Sequence, residues 1–170
     1  MVFRNEHWTL AASLWSSKGA GGGGFFLLEE LADGVAEEFG GAGADYLSYT
    51  IVLEELARAC ASTSVIVSAH SSLCTWPIFQ FGSDLQKKKY VTDLAAGVTL
   101  GAFALTEPGA GTDAAAGTTT AVLDGDSYVL NGTKTFITNG GFADVYIVTA
   151  MTDPSAGTKG ISAFIIDKDL

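Results

Sequence analysis

The 170-residue sequence predicts an α+β fold, a helical first part followed by an antiparallel sheet. Two observations carry that expectation. Apolar residues recur at helical spacing up to residue 97, and from residue 99 short β-type runs alternate with hairpin turns. Runs of helices followed by runs of strands, rather than alternating βαβ units, indicate α+β.

The elements follow in order. Residues 1–24 hold three short apolar clusters and end in the glycine run Gly21 to Gly24, which favours a flexible segment with no assigned role. Residues 25–98 are expected to form a helical domain. Its first helix, over 26–38, is interrupted by Gly34. Asp45 is an N-cap candidate before Tyr49, Val52, Leu53, Leu56 and Cys60, which share a helical stripe. A further apolar helix from Ser62 should end or bend at Pro77. Ser83 and Gln86 have capping-box spacing, and Gly97 stops the last helix. Lys87, Lys88 and Lys89 form a solvated face.

Residues 99–170 are expected to form a β-domain. Strands are predicted over 99–106, 118–123, 127–130, 133–138, 145–151 and 161–167. Asp124-Gly125 and Asn131-Gly132 each lie between β-type runs and predict hairpins. The chain ends directly after a strand, so the sheet is expected to belong to a larger architecture.

Composition narrows the function. A net charge of -10 excludes a basic nucleic-acid-binding face. Charged residues are 16% of the chain, against about 25% in typical soluble domains, so some apolar surface is expected to be covered by another subunit, domain or cofactor. Cys60 and Cys74 have neither metal-ligand nor disulfide-framework spacing, and no metal site is expected. No apolar run approaches the roughly 20 residues of a membrane helix, and Glu6 and His7 interrupt the N-terminal apolar stretch, so the expected location is the cytoplasm.

The segment Phe103 to Asp113 carries the chemistry. A predicted strand runs into a turn containing Pro108, Gly109 and Gly111, where glycines let the main chain approach a ligand and successive amides can form an anion nest. Thr106 and Thr112 add hydroxyls. The spacing Gly109-Ala-Gly111-Thr-Asp-Ala114 also fits a dinucleotide fingerprint. That fingerprint requires a following helix, whereas Gly117 to Thr120 predicts a strand, so an NAD-type site is the minor alternative.

Gly101-Ala-Phe-Ala-Leu-Thr-Glu-Pro-Gly-Ala-Gly-Thr-Asp113 resembles the acyl-CoA dehydrogenase signature. Glu37-Glu-Phe-Gly-Gly-Ala-Gly43, Glu54-Glu-Leu-Ala-Arg58, Ser68-Ala-His-Ser-Ser-Leu-Cys74 and Phe81-Gly82 with Gln86-Lys87 resemble the family's helical domain. Asn131-Gly-Thr-Lys-Thr-Phe-Ile-Thr-Asn-Gly140 resembles its second flavin motif, and Gly157-Thr-Lys-Gly-Ile-Ser-Ala-Phe164 a later strand. The short-chain, butyryl-type branch is the most similar. Residues 1–24 depart from the family pattern, as does Ala36, where a proline is usual.

The resemblance implies an FAD site. Phe103, Ala104, Leu105, Thr106, Gly111 and Thr112 would form one side, with Leu105 and Thr106 at the pyrimidine edge of the flavin. Phe136, Ile137 and Thr138 would form the other, with Thr138 near flavin N5. Thr112 would also reach the acyl-CoA substrate. The implied partners are electron-transferring flavoprotein and further copies of the chain, a tetramer in the family. No catalytic residue is expected within the sequence, because the family's glutamate base would lie beyond Leu170 on a C-terminal helical bundle. An inactive fragment, or a partial flavin-binding module, is therefore the alternative to an active dehydrogenase. His70 is expected in the core, and Glu107 is expected to be structural.

Overall fold

The computed structural model describes residues 35–170. The segment 1–24 and most of the helix expected over 26–38 lie outside the described residues. What is described of that helix is one 3-10 turn, Glu37–Phe39.

Helix α1 (Tyr46–Ala59) starts where Asp45 accepts a hydrogen bond from the Ser48 amide at 2.8 Å, the capping that the sequence indicated. It packs through Tyr49, Val52, Leu53 and Leu56 on Val67 of α2 (Ala61–Ser68). The chain does not stop at Pro77. It continues from α2 through a wider π-helical stretch, Ala69–Thr75, into α3 (Trp76–Phe81). The proline lies where the π-helical stretch hands over to α3, inside one run of helical backbone, since Thr75 and Trp76 are both right-handed helical. Ser83 and Gln86 form both bonds of the capping box at the start of α4 (Asp84–Gln86). A second π-helical stretch, Lys87–Val91, leads into α5 (Thr92–Ala95), after which Gly97 takes a left-handed φ of 64°.

Five strands follow: β1 (Gly101–Ala104), β2 (Thr120–Asp124), β3 (Ser127–Asn131), β4 (Val145–Met151) and β5 (Ile161–Asp167). The overall class is α+β, but the sheet is mixed rather than antiparallel. Strand β4 pairs antiparallel with β5 on one side, while on the other it pairs parallel with β1 and, at Met151, with Thr120 of β2. Strands β2 and β3 form the hairpin expected around Gly125, which has φ 60°. Parallel pairing arises because long connections, not hairpins, join β1 and β3 to β4.

The strand expected over 133–138 does not form, and Asn131-Gly132 does not make a hairpin. Gly132 lies so close to Thr119 that an added Cβ would fall 2.2 Å from its Oγ1. Lys134 turns inward to a buried carboxylate, and Phe136 and Asn139 take left-handed φ values of 53° and 65°. A strand cannot continue through such residues.

The alternation of the sheet separates two cores. Val145 and Ile147, with Phe103, pack on Cys74, Ile78, Val91, Leu94 and Ala95 from the helices. Ala102, Ala104, Tyr146 and Val148 pack on Ile137 and Ala143 from the loop that replaces the expected strand. His70 joins helices to sheet. It is 1% exposed, accepts the Gly101 amide at Nδ1 (2.9 Å), and its Nε2 lies 3.0 Å from the Leu94 carbonyl. These partners fix a neutral ring with the proton on Nε2, and burial lowers its pKa to about 4.

Candidate functional site

Strand β1 delivers the glycine turn to the end of the sheet. Glu107 and Ala110 bond each other's main chain in both directions, at 3.0 and 3.1 Å, closing the turn over Pro108 and Gly109. A Cβ added at Gly109 or Gly111 would meet nothing within 4 Å, so the space above this main chain is open. Thr112 is exposed. Beyond it, Ala114–Ala116 makes a single 3-10 turn before β2. The helix that a dinucleotide fingerprint requires is not formed there.

Of the residues expected on the first side, Phe103 packs towards the helical core and Ala104 is fully buried on the opposite face, so their accessible chemistry is limited. Leu105 and Thr106 are half-buried, at the point where the strand gives way to the turn. On the second side Ile137 is buried and belongs to the core, while Thr138 is half-buried. Phe136 is different: it is 84% exposed despite its size. Its left-handed backbone costs an L-residue about 1–2 kcal/mol relative to ordinary conformations. An aromatic held out in this way presents a flat apolar face to solvent, next in sequence to the residue whose amide bonds the Thr106 carbonyl.

Two bonds bring the segments together. The Thr135 amide donates to the Thr106 carbonyl at 2.9 Å, and the Lys134 ammonium donates to the Leu105 carbonyl, also at 2.9 Å. Lys134 also reaches Glu107 Oε1 at 2.8 Å and Thr149 Oγ1 at 3.3 Å. Glu107 further accepts from the amides of Thr118, at 2.6 Å, and Thr119, at 3.0 Å. Burial favours the protonated form of Glu107, but the Lys134, Thr119 and Thr118 bonds outweigh it and hold its pKa at about 2. A carboxylate so occupied is a structural anion and a poor proton acceptor, in keeping with the structural role expected for Glu107.

Sequence reasoning gave no role to Lys134, Thr149 or Asn139. The Asn139 side-chain amide donates to the carbonyls of Ile66 and Gly101, at 3.2 and 3.0 Å, and so ties the loop to both α2 and β1. The available signal was a lone lysine in an otherwise β-type run, which a sequence pattern alone cannot pair with a glutamate 27 residues earlier. Among the described residues, no cluster of His, Cys, Asp or Glu could hold a metal ion. No helix among them is long and apolar enough to cross a membrane.

Comparison with known proteins agrees with this arrangement. The family model for the acyl-CoA dehydrogenase N-terminal domain matches residues 21–98, and the model for the acyl-CoA dehydrogenase middle domain matches residues 102–170. The chain is 58% identical over 133 residues to the short-chain specific acyl-CoA dehydrogenase of Clostridium acetobutylicum, an alignment covering 78% of this chain and 35% of the relative. It superposes on butyryl-CoA dehydrogenase from Megasphaera elsdenii with a TM-score of 0.79 at 48% identity, covering 85% of this chain and 39% of that one. An acyl-CoA dehydrogenase from Bacillus anthracis complexed with FAD gives a TM-score of 0.77 at 41% identity, covering 95% and 27%. The chain thus spans about a third of the length of the curated relatives it matches. With both matched domains, the glycine turn and the second motif in the family's order, the chain belongs to the acyl-CoA dehydrogenase family.

Proposed function

We propose that this chain forms the flavin-binding portion of an FAD-dependent acyl-CoA dehydrogenase acting on a short-chain thioester. The helical domain occupies residues 25–98 and the flavin-bearing sheet residues 99–170. The observation that carries this reading is Phe136, an exposed aromatic in a costly backbone conformation, on a segment bonded to Thr106 where β1 runs into an open glycine turn. A flat, polarisable ring system gives such a residue a partner to cover.

The Gly109–Gly111 turn offers main-chain amides with no side chain in the way. Leu105 and Thr106 meet one edge of the ring, and Thr138 offers its hydroxyl on the side that Phe136 covers. Thr112, exposed at the end of the turn, is placed to meet both cofactor and acyl-CoA. FAD, when bound, supplies the hydride acceptor for α,β-dehydrogenation. The expected electron acceptor is electron-transferring flavoprotein, and the working assembly is a homo-oligomer. Glu107 does not serve as the base that removes the α-proton, since its carboxylate is buried and committed to Lys134, Thr118 and Thr119.

Titration of the purified chain with FAD tests the reading. Flavin fluorescence should be quenched and the visible spectrum should shift, while NAD should produce no change. FAD that stays fully fluorescent at high micromolar protein would defeat it and favour a fragment without cofactor. Thr138→Val should weaken FAD binding by about 0.5–1.5 kcal/mol, the worth of one hydrogen bond.

A further inference from the structure

The Glu107–Lys134 ion pair lies behind the candidate surface. Its side chains are 3% and 2% exposed. A pair so placed loses hydration that its attraction only roughly offsets, and apolar side chains could fill the same space with similar stability. Apolar side chains could not supply its directed bonds. The Lys134 ammonium donates to three oxygens on two separate stretches of chain: the Leu105 carbonyl and Glu107 carboxylate after β1, and the Thr149 hydroxyl on β4. Glu107 in turn gathers the amides that lead into β2. Lys134 is two residues from Phe136, and its neighbour Thr135 bonds the Thr106 carbonyl.

We propose that Lys134 is a positioning residue of the flavin site. Its ammonium fixes the 134–138 segment against 105–107 and so sets the distance and tilt of Phe136 and Thr138 relative to the glycine turn. The flavin part of this inference rests on the function proposed above; the positioning part does not. Without the ammonium, the loop keeps only the Thr135–Thr106 and Asn139–Gly101 bonds on this side, and Phe136 is freer to leave its left-handed conformation.

The test compares the 170-residue chain with Lys134→Met and Lys134→Arg by two measurements. One is amide hydrogen exchange at Thr135 and Phe136 without ligand; the other is FAD affinity from fluorescence quenching. In Lys134→Met, exchange at Thr135 should rise about tenfold beyond any change shared by the helices. FAD should bind about tenfold more weakly, roughly the upper worth of one hydrogen bond. Lys134→Arg should recover part of both. If the parent chain binds no FAD while Thr135 exchange still responds, the flavin reading fails and the positioning role stands. Unchanged exchange and unchanged FAD affinity in a folded Lys134→Met would overturn the positioning role. If that variant does not fold, the paired variant Glu107→Leu with Lys134→Met removes both charges. It is expected to fold with the same two losses, and parental exchange and affinity in it would overturn the proposal.

Discussion

Acidification should loosen the joint between helices and sheet through one residue, His70. The ring is buried and neutral, with Gly101 donating to one nitrogen and the Leu94 carbonyl facing the other. A proton added at Nδ1 would confront the Gly101 amide with a second donor inside the core. Burial accordingly lowers the pKa from 6.5 to about 4. Between these values the unfolded chain carries the proton and the folded chain does not, so stability falls as pH drops through that window and is flat above it. The full penalty is about 3 kcal/mol. About 2 kcal/mol of it should develop between pH 7 and pH 5, above the range where most carboxylates titrate. Against a typical total of about 5–15 kcal/mol, that is a large share. Urea unfolding followed by far-ultraviolet circular dichroism at pH 7, 6 and 5 measures it. The control is His70→Gln, whose amide can accept and donate but does not titrate. The parent chain should lose about 2 kcal/mol more than the variant over this range. Equal losses in the two proteins would refute the assignment of the pH dependence to His70.

Three further outcomes are expected. Gly101→Ala should destabilise the fold by about 1–3 kcal/mol in the same urea assay, because the new Cβ would lie 2.6 Å from Cys74 Cβ and 2.7 Å from its sulfur. Iodoacetamide should label Cys60 in the folded chain and Cys74 only after unfolding, as mass spectrometry of timed samples would show. A hydrogen bond with Thr63 lowers the Cys60 pKa, whereas burial pushes Cys74 up to about 12. Phe136→Gly should keep or raise the stability of the unliganded chain, by up to about 1 kcal/mol, since the side chain is exposed and its φ suits glycine. The same change should weaken FAD binding in the fluorescence titration.

The parts of the fold that were legible are those decided by local chemistry. The Asp45 cap, the Ser83–Gln86 box, the Gly97 stop and the Asp124-Gly125 hairpin all depend on residues within a few positions of one another. The helix does not end at Pro77, because the backbone widens into a π-helical stretch just before the proline and continues beyond it, a change of winding that no local sequence signal announces. The 133–138 segment misled more seriously. Its β-branched and aromatic residues favour a strand, yet Lys134 is drawn inward by a glutamate that is near only in space. That pull and the left-handed Phe136 belong to the tertiary structure. The same holds for parallel pairing in the sheet, which depends on where the long connections return. The glycine turn of the candidate site was legible because it is one continuous segment. The clamp that supports it was not, since its members come from three places along the chain.

The parallel ladder between β1 and β4 also bears on how the chain is made. Leu100 and Asp144, which bond at the start of that ladder, are 44 residues apart. At ribosomal speeds of about 5–20 residues per second, β1 leaves the exit tunnel roughly 2–9 seconds before its partner does. During that interval the π-helical stretch Ala69–Thr75 can already cover one side of β1, but the strand's hydrogen-bonding edge has nothing native to pair with. The nascent chain is most open to misassembly then, and synonymous codons that slow translation between residues 105 and 144 should lower the soluble yield more than the same pauses placed after residue 151.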